Sequence, residues 1–166
     1  MRKLSEEVVF DGSWRTIVRR EFETPRGVDA FEIKLEPDGA AVVALTRDLE
    51  VVLVREFRAG PEEWLLELPG GNVDSNESPT GAAPRELLEE TGYTATLRYV
   101  GSMCDCAYST RRRHVLVATD ATPSGGSAEG LEVVLMPLAD FREHLRSGRL
   151  TDVGAGYMGL DALGVL

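Results

Sequence analysis

The most informative stretch of the chain, residues 71–93, reads GNVDSNESPTGAAPRELLEETGY. Over residues 78–91 helix-forming residues dominate, Pro79 suits a first helical turn, and Gly92 fits a C-terminal stop. The stretch therefore predicts a helix over residues 78–91, about 20 Å long at roughly 1.5 Å per residue. Pro84 lies inside this helix, where a proline removes one backbone donor and is expected to bend the axis.

Three glutamates crowd one turn of the predicted helix. Glu86 and Glu90 are four residues apart, and Glu86 and Glu89 are three apart, so all three project near one face with Cβ atoms about 5–6 Å apart. Like charges this close destabilise a helix by themselves, whereas clustered carboxylate oxygens suit a hard divalent ion such as Mg²⁺. The cluster therefore indicates a metal site, and a solvated acidic helix face is the alternative.

Fixed residues on either side of the glutamates extend the pattern. The stretch resembles the Nudix box, G-x5-E-x7-R-E-U-x-E-E-x-G-U with U apolar, at every fixed position; a chance match is on the order of one in a billion per starting position. Tyr93 stands where a branched aliphatic residue is usual. The matching residues are Gly71, Glu77, Arg85, Glu86, Leu87, Glu89, Glu90, Gly92 and Tyr93.

The resemblance implies an α/β fold, a Nudix-type α/β/α sandwich with a mixed sheet. It implies hydrolysis of a nucleoside diphosphate linked to another group, with a loop, helix and loop that bind Mg²⁺ or Mn²⁺. By the same resemblance, Glu86 and Glu90 are expected as direct metal ligands, and Glu89 as a ligand or a holder of water. The backbone carbonyl of Gly70 is expected as a further ligand.

Arg85 is expected to act at the catalytic centre by orienting the acidic cluster together with Glu77. A guanidinium can hold a carboxylate with two parallel hydrogen bonds, which relieves repulsion among neighbouring acids. An ordinary exposed ion pair on a helix is the alternative for Arg85.

The catalytic base need not come from the box. In the family that the sequence resembles, the base can be a glutamate of a mobile loop after the helix, and Glu129 is the candidate here, with Glu89 as a second catalytic residue. The loop around Glu129 has the composition of a lid, with Gly125 and Gly126 as candidate hinges. Glu129 could instead serve only the solubility of the loop.

Outside the box, residues 40–163 resemble the ADP-ribose pyrophosphatase and nucleotide-sugar branch of the Nudix family. The similarity rests on VREFR at residues 54–58, LELPGG at residues 66–71 and EETGY at residues 89–93. Arg55, Arg58 and Glu67 are accordingly expected to bind substrate, since a cation at a strand end near an acidic site can hold a phosphate. Surface charges at a strand end are the alternative.

The expected reaction is metal-dependent hydrolysis of ADP-ribose or a related nucleoside diphosphate sugar to a nucleoside monophosphate and a sugar phosphate. One alternative is another substrate, such as GDP-mannose, a dinucleoside polyphosphate or an oxidised nucleotide. The other is a Nudix module that senses ADP-ribose without hydrolysis. Modules of that kind tend to lose box glutamates, and this chain retains all of them.

Two further features are weaker candidates. Residues 111–114 read RRRH, the only basic run, and could guide an anionic substrate, although a solvated loop is the simpler interpretation. Trp14 and Trp64 could stack on a nucleobase, although packing in a core or an interface is the simpler role.

Composition bounds the remaining possibilities. A length of 166 residues favours one domain over residues 1–166, and 18 Lys and Arg against 28 Asp and Glu give a net charge of −10. Such a charge disfavours nucleic acids and anionic membranes as partners. The start of the chain lacks an apolar leader and only two cysteines occur, so a cytoplasmic location is expected.

Apolar periodicity predicts the rest of the secondary structure. Residues 13–22 and 29–35 are expected to form an antiparallel pair within an N-terminal segment, residues 1–38, that resembles a dimerisation segment; a homodimer is therefore expected. Further strands are predicted at residues 40–45, 51–54, 64–68, 94–100, 114–118 and 131–135. Helices are predicted at residues 138–147 and 152–163.

Overall fold

A computed structural model describes residues 1–166. Ten strands and three helices follow one another along the chain. They are β1 (Arg2–Asp11), β2 (Thr16–Thr24), β3 (Gly27–Leu35), β4 (Gly39–Thr46), β5 (Glu50–Arg58), β6 (Glu63–Glu67), α1 (Pro79–Thr91), β7 (Tyr93–Thr94), β8 (Arg98–Cys104), β9 (Arg112–Pro123), β10 (Glu132–Pro137), α2 (Leu138–Ser147) and α3 (Val153–Leu163).

The N-terminal segment forms a separate antiparallel sheet in the order β1-β2-β3. The predicted pair corresponds to β2 and β3, and the prediction was wrong in missing β1. The reason is physical: all ten residues of β1 are exposed, so no buried face imposes an alternation of apolar and polar residues that the sequence could show.

The main sheet has seven strands in the order β10-β5-β4-β9-β7, with β6 paired to β5 and β8 paired to β9. Only β4 and β9 are parallel, so the sheet is mixed, as predicted. The strand predicted over residues 94–100 is wrong, because the chain divides there between β7 and β8. Ala95 and Leu97, which connect these strands, turn inward and pack against the side of the sheet that α1 covers.

The residues of β4 alternate between the two sides of the sheet, and all eight are buried. One side packs against α2 and α3, and the other packs against α1, which makes the predicted α/β/α sandwich. Small residues on the α1 side let that helix approach the sheet closely. Ala41, Val43 and Leu45 face α2 and α3, and Ala40, Val42 and Ala44 face α1.

Helix α1 confirms the sequence prediction at both ends. Ser78 caps it by accepting a hydrogen bond from the Gly81 amide at 3.2 Å, and Gly92 ends it in the left-handed conformation at φ 71°. The helix continues without a break through Pro84. The buried residues of α1 are Ala82, Ala83, Leu87 and Thr91 together with two acids, Glu86 and Glu90, so part of the charge of the helix lies on its buried side.

The two C-terminal helices also agree with prediction, since α2 matches residues 138–147 and α3 begins one residue late. Helix α3 packs very closely on β4: a Cβ added at Gly159 would lie 2.4 Å from a methyl carbon of Val43. None of the three helices has the length and apolar composition that crossing a membrane requires.

Candidate functional site

Arg85 lies at the centre of a group of carboxylates on α1 and the loop before it. Its Nε and Nη2 atoms donate to the two oxygens of Glu77, at 3.2 and 2.9 Å. Its Nη1 donates to Glu86 at 2.9 Å and to Glu89 at 3.0 Å. The contact with Glu77 is the main reason that the pKa of Arg85 rises above its usual value. One charged fork therefore contacts three acids at once.

Glu86 and Glu90 are buried beside this network, each only 8% exposed. The Glu86 carboxylate lies over Gly71, where an added Cβ would be 2.5 Å from Oε1, and Glu90 accepts a hydrogen bond from the Gly70 amide at 2.9 Å. Burial raises the pKa of both carboxyls, that of Glu90 to about 8. Such acids favour a bound cation, because a cation stabilises their charged forms.

The loop before α1 leaves one backbone oxygen free beside the glutamates. The carbonyls of Pro69 and Gly71 accept hydrogen bonds from amides of β4, both at 2.9 Å, whereas the carbonyl of Gly70 between them accepts none. Residue 70 has to be glycine, because a Cβ there would lie 2.1 Å from the carbonyl oxygen of Ala40. The close approach to β4 therefore fixes the position of the Gly70 carbonyl.

These donors fit a hard divalent cation. Carboxylate and carbonyl oxygens are the ligands that such ions take in proteins, and the buried acids exceed the one arginine that faces them. No three His, Cys, Asp or Glu side chains already surround a common point as metal ligands. Glu86 and Glu89 contact Arg85 instead, so ion binding would require these carboxylates to reorient.

Glu129 lies close to the cluster from another part of the chain. Its carboxylate contributes to the raised pKa of Glu86 and of Glu90, after the larger effect of burial. Its amide donates to the carbonyl of Glu89 at 3.2 Å. The segment that carries Glu129 is therefore bound to the last turn of α1 in the structure, rather than standing away from it as an open lid.

The predicted substrate residues on β5 separate onto opposite sides of the sheet. Arg58 is on the side of α1, where it contacts Glu67 through Nε at 2.8 Å and also through Nη2. Arg55 is on the side of α2 and α3, where it pairs with Glu132 at 3.2 Å and lies over the Trp64 ring. The structure thus brings Arg58 and Glu67 to the acidic cluster but does not bring Arg55 there.

A polar pocket of about 200 Å³ opens beside the glycine loop, the part of the loop before α1 that carries Gly70 and Gly71. Arg111 donates to the Pro37 carbonyl at 2.8 Å and also contacts Asn72, and Arg113 lies 3.2 Å from Asp152. The Oε1 atom of Glu67 is buried here without a hydrogen-bond partner. The pocket is lined by Arg58, Glu67, Leu68, Gly70, Gly71, Asn72, Arg111, Arg113, Thr151 and Asp152.

The basic run at residues 111–114 was predicted as one unit, and the structure divides it. Arg111, just before β9, and Arg113 line the pocket, whereas Arg112 between them contacts Ser102 on β8. Asp152 was not predicted at all. Its only sequence signal was its place as the first residue of a predicted helix, and the contact with Arg113 joins parts of the chain that no local pattern connects.

A larger aromatic cleft of about 450 Å³ lies between the N-terminal sheet and the loop after β8. Phe22 and Phe31 meet edge to face at 6.0 Å, and Tyr108 is on the opposite wall. Neither predicted stacking candidate lines it: Trp14 is 95% exposed, and Trp64 packs on Phe57 on the far side of the main sheet.

Comparison with known proteins identifies the family to which the chain belongs. The model of the NUDIX domain matches residues 36–152, which is well over half of the chain. The chain therefore belongs to the Nudix family, and the family and fold predicted from residues 71–93 are confirmed.

Three proteins show which members of the family this chain is similar to. The chain is 35% identical over 95 residues to an ADP-ribose pyrophosphatase of Bacillus subtilis, an alignment that covers 57% of this chain and about half, 51%, of that protein. It is 32% identical over 164 residues to an ADP-sugar pyrophosphatase of Mus musculus, covering 85% of this chain and 75% of that one. A crystal structure of an ADP compounds hydrolase has the same fold, with a TM-score of 0.79 at 24% identity over 99% of this chain and 96% of that one.

Proposed function

We propose that this protein hydrolyses the diphosphate bond of ADP-ribose or a related nucleoside diphosphate sugar, giving a nucleoside monophosphate and a sugar phosphate. The observation that carries the proposal is the pair of buried glutamates, Glu86 and Glu90, beside the free carbonyl of Gly70. The names of the Bacillus and mouse relatives support the class of substrate.

Mg²⁺ or Mn²⁺ is the proposed cofactor. Glu86, Glu90 and the Gly70 carbonyl are the proposed ligands, and Glu89 binds the ion directly or through water. When bound, such an ion neutralises charge on the diphosphate and lowers the pKa of bound water. Arg85 keeps the carboxylates of Glu77, Glu86 and Glu89 grouped around one guanidinium before an ion binds.

Glu129 is the proposed catalytic base. It accepts a proton from the attacking water, whose oxygen forms a new bond to one phosphorus while the bond from that phosphorus to the bridging oxygen breaks. The second phosphate group leaves with the electron pair of the broken bond. The nearness of the Glu129 carboxylate to Glu86 and Glu90, the proposed metal ligands, supports this role.

The two clefts fit the two chemical halves of such a substrate. Arg58 and Arg111 line the polar pocket next to the glycine loop, where guanidinium groups suit phosphate oxygens. The aromatic cleft, with Tyr108 on its wall, suits a flat nucleobase. Ser109 and Thr110 line the aromatic cleft and Arg111 the polar pocket, so the two are adjacent along one loop.

A homodimer is the proposed assembly. Strand β1 is exposed along its whole length and carries large apolar residues, Val8 and Phe10, that are 60% and 57% exposed. An exposed edge strand that carries large apolar residues is a candidate surface for pairing with another chain. Light scattering that shows only a monomer at micromolar concentration would contradict the dimer.

The proposal also covers the location of the protein in the cell and its macromolecular partners. A cytoplasmic location is proposed because Cys104 and Cys106 are both free thiols. Nucleic acid is not proposed as a partner, because a net charge of −10 repels a phosphate backbone.

The test of the function is a substrate panel with Mg²⁺ and identification of the products. ADP-ribose should yield AMP and ribose 5-phosphate, with a higher kcat/KM than GDP-mannose, a dinucleoside polyphosphate or an oxidised nucleotide. Glu90→Gln should lose most of the activity while it keeps the circular dichroism spectrum of the unsubstituted protein. Equal turnover of all substrates would contradict the choice of substrate, and binding of ADP-ribose without turnover would indicate a sensing module.

A further inference from the structure

The segment at residues 124–130 is fixed to the end of α1 by hydrogen bonds to two carbonyls. Ser124 and Gly125 donate their amides to the carbonyl of Gly92, at 2.7 and 3.1 Å. The carbonyl of Glu89 accepts the amides of Ala128, at 2.8 Å, and of Glu129, at 3.2 Å. The last carbonyls of a helix have no partner within the helix, so this segment supplies the donors that α1 lacks.

Ser127 adds a side-chain contact to the same carbonyl. Its hydroxyl donates to the Glu89 carbonyl at 3.3 Å and accepts the amide of Leu131 at 3.1 Å. The hydroxyl thereby joins the segment on both sides of Glu129 to α1. Ser124, three residues earlier in the same segment, is attached through its backbone amide.

Gly92 provides the surface on which the segment lies. A Cβ added at Gly92 would be 2.5 Å from the carbonyl oxygen of Gly125 and 2.8 Å from the carbonyl carbon of Gly126. Gly148 offers a comparison, because it ends α2 at φ 70° and a Cβ there would meet nothing within 4 Å. Gly92 therefore satisfies two requirements, the left-handed turn and the contact, whereas Gly148 satisfies only the first.

We infer that Ser127 and Gly92 are positioning residues for the reaction: they hold residues 124–130 against the end of α1 and so keep the Glu129 carboxylate beside Glu86 and Glu90. The inference deepens the proposed function and rests on the role of Glu129 in it. The backbone of Glu129 is one hydrogen bond from Glu89, a member of the acidic cluster. Base and cluster are therefore joined by backbone hydrogen bonds in this structure instead of meeting only when a loop closes.

The first test compares Ser127→Ala with Ser127→Thr and Ser124→Ala. Ser127→Ala should lower kcat for ADP-ribose by about tenfold, because a small misplacement of a catalytic group is costly, and should leave KM and the Mg²⁺ dependence nearly unchanged. Ser127→Thr keeps the hydroxyl and should restore most of kcat, and Ser124→Ala should match the unsubstituted protein. Equal losses in Ser127→Ala and Ser124→Ala would overturn the inference.

A double variant separates positioning from a general loss of structure. If Ser127 acts through Glu129, Ser127→Ala combined with Glu129→Gln should be no slower than Glu129→Gln alone. Losses that multiply would overturn the positioning role and leave the proposed function intact. Full activity of Glu129→Gln would overturn the inference together with the role of Glu129 as base, and hydrolysis by the unsubstituted protein would still stand.

The glycine contact has its own matched pair. Gly92→Ala and Gly148→Ala impose similar strain at a helix end, so both should lower the unfolding temperature, and Gly92→Ala should lower it further because of the contact. Only Gly92→Ala should lower kcat. Hydrogen exchange gives a readout without substrate: the amides of Ala128 and Glu129 should exchange faster in Ser127→Ala and Gly92→Ala than in their controls. Unchanged exchange in both would overturn the inference.

Discussion

The acidic cluster on α1 and the N-terminal sheet both contain arginine–glutamate ion pairs, but the two regions differ in how far these pairs are exposed to solvent. In the sheet, Arg19 bridges Glu7 and Glu32 at 3.5 and 3.3 Å, and all three side chains are about half exposed or more. On α1, Arg85 bridges three glutamates of which Glu86 has a side chain only 10% exposed. Both regions contain an arginine between acids, yet only one holds acids that solvent cannot stabilise.

The difference follows from the energetics of ion pairs. An exposed pair gains little because water screens the charges and holding long side chains costs entropy. A buried charge that loses its partner is left without compensation, so its surroundings must change. We therefore expect substitutions at the α1 network to alter activity and folding strongly, and equivalent substitutions in the N-terminal sheet to have little effect.

Arg85→Ala should produce the largest effect. Removing the guanidinium leaves Glu77, Glu86 and Glu89 without their shared donor, so the cluster loses its order and its affinity for metal. By analogy with residues that orient metal ligands, kcat/KM should fall by about 10- to 100-fold, with a higher Mg²⁺ concentration needed for half-maximal rate. Steady-state kinetics across a Mg²⁺ titration measures both.

Arg85→Lys sharpens the same prediction. A lysine keeps the charge but cannot donate from a planar fork to three carboxylates, so it should restore little of the activity. Recovery of nearly full kcat/KM in Arg85→Lys would show that charge alone matters and would contradict a geometric role.

Arg58→Ala comes next, with Arg55→Ala as its control on the same strand. Arg58→Ala leaves Glu67 buried without its partner, and Glu67 is only 3% exposed. Arg58 itself is 38% exposed, so we expect a loss of about 1–3 kcal/mol of unfolding free energy, below the range for a fully buried pair, and a higher KM. Arg55→Ala removes an exposed pair on the other side of the sheet and should leave KM unchanged. Urea denaturation measures the loss of stability in both variants, and steady-state kinetics measures KM. Equal KM values in Arg58→Ala and Arg55→Ala would contradict a role of Arg58 in substrate binding.

The sequence predicted the cluster well because its chemistry is local. Glu86, Glu89 and Glu90 lie on one turn, and Arg85 is adjacent, so helical spacing alone places them together. Strands β4 and β5 were also predictable, because each contains a continuous apolar run that is buried in the sheet. The period of two along a strand would have separated Arg55 from Arg58, which are three residues apart on β5.

Other parts of the site could not be read from spacing. Asp152 and Arg113 meet across about forty residues, and Glu67 joins Arg58 through pairing of β5 with β6. Strand β1 has no buried side and so no pattern. Such contacts depend on the packing of the whole chain, which leaves no local signal in the residues themselves.

The buried acids also predict a pH dependence of metal-free protein. The pKa of Glu90 is about 8 in the folded state against 4.5 ordinarily, so between these values the folded protein holds a proton that the unfolded chain has lost. The free energy of unfolding should therefore fall as the pH rises from about 4.5 to 8, and Glu90 should contribute no further change above that range. Glu90→Gln, which does not titrate, should have a shallower slope. Urea denaturation in EDTA across this range checks it, and parallel slopes for the two proteins would contradict the assignment to Glu90.

Arg19→Ala in the N-terminal sheet should have the smallest effect. The substitution removes both ion pairs of Arg19. The partner side chains, Glu7 and Glu32, are 65% and 63% exposed, so water solvates their charges in the variant. The free energy of unfolding should change by less than about 1 kcal/mol, and kcat for ADP-ribose should match that of the unsubstituted protein. A large loss of stability would mean that this surface is buried in solution. Because Arg19 contacts Glu7 on β1, the edge strand proposed for dimerisation, the same variant should then be followed by light scattering: loss of the dimer would show that the charges of this sheet, unlike those of α1, act between chains.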